Sequence, residues 1–168
     1  MNKMDRLSLR VLGGLDACED ALTFFEKNFG SETEYTVTEL IEKAKSLKLG
    51  ISAEYVSWLL RNCEFCQTEE LVNYYKSLNP SDENVSWLIE RCEFCQTEEM
   101  LEYLKSINPH FEKVTWLIIE FEFCQTEEML NYYKSLNPDY EDVSCLIRYC
   151  EFCQTEEMKE YRDSLKKD

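Results

Sequence analysis

The chain has 168 residues, of which 18 are basic and 34 acidic, giving a formal net charge of −16. Hydrophobic residues make up 44% of it, which excludes a disordered or fibrous chain and predicts a buried core. The acidity argues against nucleic acid or an anionic membrane as a direct ligand, because both would repel the protein. No apolar run approaches the roughly 18 residues of a membrane span, and residues 1–10 lack the apolar core of a signal peptide. We therefore expect a soluble cytoplasmic protein.

The first 51 residues carry two amphipathic patterns, at about 15–28 and 37–47, each typical of a helix. Glycines at positions 13, 14, 30 and 50 flank these patterns, and glycine is common at helix ends. The segment 1–51 is therefore predicted to be an N-terminal helical cap.

A seven-residue segment, Glu-Phe-Cys-Gln-Thr-Glu-Glu, then occurs four times at intervals of 29 residues, starting at Glu64, Glu93, Glu122 and Glu151. A fixed period of 20–50 residues indicates a solenoid or a repeat array. The predicted repeats are 52–80, 81–109, 110–138 and 139–168. We expect them to form one continuous domain with the cap.

Each repeat contains two helical stripes. In the second repeat the first stripe consists of Val85, Leu88, Ile89 and Cys92, and the other of Met100, Tyr103, Leu104 and Ile107. We call the helices that carry them helix A and helix B. Helix A follows an Asn-Pro pair, and Ser81 or Asp139 is suited to cap it. Thr97 is predicted to cap helix B, ahead of two glutamates in its first turn.

The predicted fold is all-α: a short αα-solenoid of four tandem helix pairs with an N-terminal helical cap. Helices this short are marginal alone, so they must stack on neighbouring repeats. Three columns keep one residue type in every repeat and are the predicted stacking contacts: Val56, Val85, Val114 and Val143; Leu59, Leu88, Leu117 and Leu146; Tyr74, Tyr103, Tyr132 and Tyr161.

Residues 18–25 (CEDALTFF) and 55–60 (YVSWLL) resemble a module of small helical-repeat proteins from phages and prophages. The resemblance implies a repeat fold and a phage origin, and by itself no activity. The architecture also resembles ankyrin and tetratricopeptide solenoids, but 29 residues is shorter than either repeat. Because the signature residues of both families are missing, we do not place the chain in them.

The nine cysteines include three Cys-x-x-Cys pairs, and two such pairs can complete a tetrahedral zinc site. In the third repeat, however, Phe121 replaces the first cysteine of the pair. Cys145 similarly stands where the other repeats have Trp58, Trp87 and Trp116. Exchange with large hydrophobes favours reduced cysteines that pack like small apolar residues. A zinc-binding structural protein remains the alternative, while a redox centre is disfavoured because no βαβ pattern accompanies the pairs.

No catalytic motif is present: there is no phosphate-binding loop, nucleophile elbow or His–carboxylate set. His110, the only histidine, opens helix A of its repeat and is predicted to be a solvent-facing capping residue. We therefore expect no enzymatic activity, no catalytic residues, no cofactor and no bound metal.

The positions that differ between repeats lie mainly on helix A. Two of these columns are seven residues apart and so share one helical face. A fixed core with one varied face is typical of a protein-binding array, although exposed positions also drift freely. Ile119, which replaces charged residues, is the predicted apolar anchor. The predicted protein-binding residues, the helix A stripe, are Tyr55, Asn62, Asn84, Glu90, Arg91, Lys113, Ile119, Glu120, Asp142, Arg148 and Tyr149.

A second candidate surface is a row of paired glutamates at the starts of the B helices. Such a row can imitate a nucleic-acid backbone and occupy a basic groove, although first-turn carboxylates also stabilise helices without any partner. We call this set the acidic ladder: Glu69, Glu70, Glu98, Glu99, Glu127, Glu128, Glu156 and Glu157.

The leading functional hypothesis is a non-enzymatic protein-binding repeat module whose partner has a basic surface. The phage-like segment and the acidity extend this to an inhibitor of a host nucleic-acid-binding defence complex, such as a CRISPR effector, acting in the host cytoplasm. The alternatives are the zinc-binding structural protein and a general scaffold with several partners. The sequence leaves the oligomeric state and the choice between the two surfaces open.

Overall fold

The computed structural model describes residues 6–166 of the chain. Within them the regular structure is helical, which confirms the all-α class, and the one β-type contact is a bridge between Leu7 and Tyr35. The α-helices are α1 Leu9–Gly14, α2 Glu19–Phe29, α3 Val37–Ser46, α4 Ala53–Asn62, α5 Glu69–Ser77, α6 Asp82–Arg91, α7 Glu98–Ser106, α8 Phe111–Glu120, α9 Glu127–Ser135, α10 Tyr140–Tyr149 and α11 Glu156–Ser164. Residues 1–5 of the predicted cap and residues 167–168 of the last repeat lie outside the described part.

The chain divides into two compact units. The first comprises the described residues up to Pro80 together with Arg91–Cys95, and the second comprises Ser81–Glu90 together with the described residues from Gln96 onward. The division falls between Pro80 and Ser81, and the last residue of α6 belongs to the first unit together with the turn that follows it.

The leader of the first unit contains three helices where the sequence predicted two. The short helix α1 was not predicted; Ser8 caps it by accepting a hydrogen bond from Val11 N at 3.3 Å. Gly30 ends α2 with φ 95°, a conformation that glycine adopts without steric cost. A capping box between Thr36 and Glu39 starts α3.

In the first unit α1 packs against α2, and α5 packs against both α3 and α4. In the second unit α8 packs against α9 and α10, and α10 packs against α11. The valine and leucine columns are buried in both units, Leu117 and Leu146 completely. These two sets of predicted stacking residues are therefore confirmed as core.

The tyrosine column contributes a repeated contact in the second unit. Tyr132 Oη donates to Lys105 O at 3.2 Å, and 29 residues later Tyr161 Oη donates to Lys134 O at 3.3 Å. Each bond joins a B helix to the end of the preceding B helix. The neighbouring residue Tyr133, which the repeat comparison did not single out, is fully buried.

The seven-residue motif builds the connection between the two helices of a pair. Its Glu-Phe-Cys part forms a single 3-10 turn, as at Glu122–Cys124. The Gln125 side chain donates from Nε2 to Ile118 O at 3.2 Å, satisfying a carbonyl near the end of α8. Thr126 Oγ1 then accepts from Met129 N at 3.1 Å and caps α9. Equivalent glutamine bonds occur at Gln67 and Gln96, so the motif has a structural explanation.

Two residues after each B helix of the first three repeats lies an asparagine in the left-handed region, with φ 51° at Asn79, 53° at Asn108 and 54° at Asn137. Asparagine tolerates this conformation better than other residues with a side chain. The following proline disfavours right-handed helix at the asparagine. The sequence predicted the interruption but not the sign of φ.

Candidate binding surfaces

The predicted helix A stripe is accessible, since none of its eleven residues is buried. Tyr149 is the most open large apolar side chain of the described residues, with 63% of its surface exposed. Ile119, predicted as the apolar anchor, is only partly exposed. In the first unit Tyr55 packs beside Phe24, with ring centroids 5.6 Å apart.

The structure corrects the interpretation of the tryptophan column in the second unit, whereas Trp58 of the first unit is only partly exposed. The sequence suggested that this column packs, yet Trp87 is 47% and Trp116 is 51% exposed, and Cys145 at the equivalent position is exposed. Position 116 lies three residues after Lys113 and four before Glu120, so it shares the face of the helix A stripe. That spacing is the signal in the sequence that could have placed these tryptophans on the face of the stripe.

In the second unit the A helix α8 contacts both of the other A helices, α6 and α10. His110 N donates to Asp82 Oδ2 at 3.0 Å, and Lys113 Nζ lies 3.8 Å from Glu83 Oε1, which ties α8 to α6. Helix α8 also packs against α10. His110 stands at the predicted start of α8, but its exposed side chain makes no capping bond.

Some polar members of the stripe have local structural partners. Lys113 belongs to the contact with α6. Asp142 forms a capping box with Asp139, whose Oδ1 accepts from Asp142 N at 2.9 Å. In the first unit Asn62 Nδ2 donates to Trp58 O within α4 at 2.8 Å. Capping and local pairing thus account for these three polar residues, while about half or more of Trp116 and of Tyr149 is open to solvent.

The acidic ladder is exposed throughout, but several of its carboxylates are paired within the protein. Glu157 Oε1 lies 2.5 Å from Lys134 Nζ, and Glu128 pairs with Lys105 in the same arrangement one repeat earlier. The hydrogen bond and charge of Lys134 lower the pKa of Glu157. Lys134 also lies 5.6 Å from the ring of Tyr161. In the second unit this glutamate position therefore belongs to a repeated Lys–Tyr–Glu contact between B helices.

The first unit uses the same ladder position differently. Glu70 Oε2 accepts a hydrogen bond from Thr38 Oγ1 of α3 at 2.6 Å. The first glutamates of the pairs, such as Glu98 and Glu127, face solvent in the first turns of α7 and α9, where a carboxylate stabilises the helix dipole.

Seven cysteines are buried, whereas Cys18 and Cys145 are exposed. Cys92 Sγ donates to Leu60 O at 3.2 Å in the first unit, and Cys150 Sγ lies 3.8 Å from Ile118 O in the second. Burial raises the pKa of Cys124 to about 12. These contacts support cysteine as a packing residue at the motif positions.

Within the described residues, no group of three or more His, Cys, Asp or Glu side chains comes together to hold a metal. The Cys-x-x-Cys pairs of that part of the chain are therefore isolated, and the zinc hypothesis lacks a complete ligand set there.

Comparison of the chain with protein-family models, with curated proteins and with solved structures finds no match. None of the helices between residues 6 and 166 combines the length and the apolar character required to cross a bilayer.

Proposed function

We propose that the protein is a non-enzymatic protein-binding helical repeat and that the helix A stripe of its second unit is the binding surface. The observation that carries the proposal is the exposure of Tyr149 of the stripe, at 63%, and of Trp87 and Trp116 on the same helix face, at 47% and 51%. Tryptophan and tyrosine are the residues most enriched among binding hot spots. The exposed half of such a side chain contributes little to folding. A partner that covers it would bury this remaining apolar surface.

The repeats form a solenoid in this proposal. Support comes from the second unit, where the Lys105–Tyr132 and Lys134–Tyr161 hydrogen bonds recur with the 29-residue period. A solenoid displays equivalent positions side by side, and this is how α6, α8 and α10 would present their stripe residues together.

The partner is a protein with apolar pockets set in a basic surface. Pockets are required to take the aromatic anchors, and basic charge complements the net charge of −16. We extend the proposal to a phage-encoded inhibitor that acts in the host cytoplasm on a nucleic-acid-binding defence complex. The basic groove that such a complex uses for nucleic acid would attract this acidic chain.

Affinity capture from host lysate tests the proposal when wild-type protein is compared with two variants. One variant carries Trp87→Ala, Trp116→Ala and Tyr149→Ala; the matched control carries Glu98→Gln and Glu127→Gln in the acidic ladder. We expect a specific protein to be retained by wild type and by the control but lost by the aromatic variant, with circular dichroism showing that both variants fold. Loss with the glutamate variant alone would assign binding to the ladder and contradict the proposal.

A further inference from the structure

The first unit contains a cavity of about 330 Å³ that the protein-binding proposal does not use. Its lining is mainly apolar and unusually aromatic, and it includes Leu12, Phe24, Tyr55, Trp58, Leu71 and Tyr74. Small-molecule sites typically measure about 300–1,000 Å³, and a cavity of about 150 Å³ already holds benzene. This cavity is therefore large enough for a small organic ligand.

Three charged side chains also line the cavity: Asp16, Glu54 and Arg61. Glu54 lies in the first turn of α4 and Arg61 in its last turn. Seven residues of helix place their backbones about 10 Å apart along the axis. Arg61 Nε donates to Ser57 O at 3.2 Å, which holds that side chain against its own helix. Glu54 and Arg61 thus lie at opposite ends of α4, and two of the three charged residues that line the cavity are carboxylates.

We propose that this cavity binds a small organic cation with an apolar body, such as a hydrophobic ammonium compound. Aromatic faces attract ammonium groups, most strongly where water is excluded. Phe24 and Tyr55 supply two adjacent rings, with centroids 5.6 Å apart and planes inclined by 49°. Glu54 supplies the counter-charge from the first turn of α4, while the aliphatic wall receives the apolar body. The negative field of the whole chain adds to the preference for a cation.

Calorimetric titration with three probes of similar size tests the charge preference: hexyltrimethylammonium, heptanol and heptanoate. All three carry a comparable apolar chain, so their differences report the head group. We expect the ammonium probe to bind at least about tenfold more tightly than either of the others. Equal affinity for heptanoate, or tighter binding of it, would mean that Arg61 governs the site and would overturn the proposal.

Two variants locate the binding. Ala21→Leu adds volume to the cavity wall and is expected to abolish binding of hexyltrimethylammonium. Glu54→Gln should weaken it several-fold at low salt. The matched control is Glu141→Gln, which removes an exposed carboxylate at the equivalent position of the last repeat. Unfolding curves establish that each protein is folded.

Undiminished binding by both cavity variants, or equal loss in Glu141→Gln, would show that the probe binds the acidic surface and would refute the site. Because Trp87, Trp116 and Tyr149 play no part in this cavity, failure here leaves the protein-binding proposal standing.

Discussion

The helix A stripe and the acidic ladder are both exposed surfaces of the repeats, but they are built in opposite ways. The ladder keeps the same residue type in every repeat, and Glu128 and Glu157 are tied to lysines of preceding B helices. The stripe changes from repeat to repeat, and beside it in the second unit Trp87 and Trp116 are about half exposed at matching positions. The difference teaches that a uniform surface residue can be explained by the fold, whereas an exposed aromatic among varied neighbours requires another explanation.

Charge alone therefore does not identify the binding surface. A carboxylate that already pairs with lysine gains less from a basic partner, because the new ion pair must replace the existing one. Burying the part of an indole that is still in water is favourable by about 25 cal/mol per Å². Under the proposal, the affinity therefore resides in the aromatic residues, and the ladder serves mainly helix capping and contacts between B helices.

The largest expected effect is a loss of unfolding free energy at Leu117, a core position of α8, compared with a smaller loss at the adjacent exposed Trp116. Leu117→Ala removes a fully buried side chain and should reduce the free energy of unfolding by about 2–5 kcal/mol. Trp116→Ala, although it removes more atoms, should cost less than about 2 kcal/mol because half of the side chain is already in water. Chemical denaturation measures both. A loss for Trp116→Ala as large as that for Leu117→Ala would assign Trp116 to packing.

An intermediate effect is expected at the start of α9, beside the ladder. Thr126→Ala removes the hydroxyl that accepts from Met129 N and should cost about 1 kcal/mol, the usual value for a helix N-cap. Thr126→Ser keeps the acceptor and serves as the matched control in thermal unfolding. If both variants lose the same stability, the motif threonine has a role other than capping.

The smallest effect concerns the paired glutamates. Glu157→Gln should lower the unfolding temperature slightly more than Glu127→Gln, since Glu157 is paired with Lys134. The folded protein lowers the pKa of Glu157 below its ordinary value of 4.5. Its contribution is therefore present above that pH and is lost as the pH falls through the folded-state pKa. High salt should also remove the difference between the variants, whereas a difference that persists in both conditions would mean that the contact is not ionic.

Much of the fold was predictable because the 29-residue period and the 3.6-residue spacing act together. The all-helical class, the Thr97 cap and the buried leucines followed from these patterns. Helix α1 was missed because it is short and ends in two glycines. Left-handed Asn79 was missed because an Asn-Pro pair reveals a break in the helix but not the sign of φ.

The site was harder to predict than the fold. Repetition of tryptophan suggested a core position, since large apolar residues usually pack. Trp116, however, directly precedes buried Leu117, and one residue turns the helix by about 100°. Consequently Trp116 points away from the side of α8 that Leu117 buries, towards the face of Lys113 and Glu120. The cavity of the first unit brings Phe24 of α2 together with Trp58 of α4, a tertiary proximity that no local pattern encodes.

Footprinting of the protein bound to its captured partner tests the central claim most directly. Hydroxyl-radical labelling reports on Trp87, Trp116 and Tyr149, and carbodiimide labelling reports on Glu98 and Glu127 in the same complex. We predict that all three aromatic side chains are modified in the free protein and protected in the complex, while the two glutamates remain reactive. Protection of the glutamates with continued labelling of the aromatic residues would contradict the account and move the binding surface to the acidic ladder.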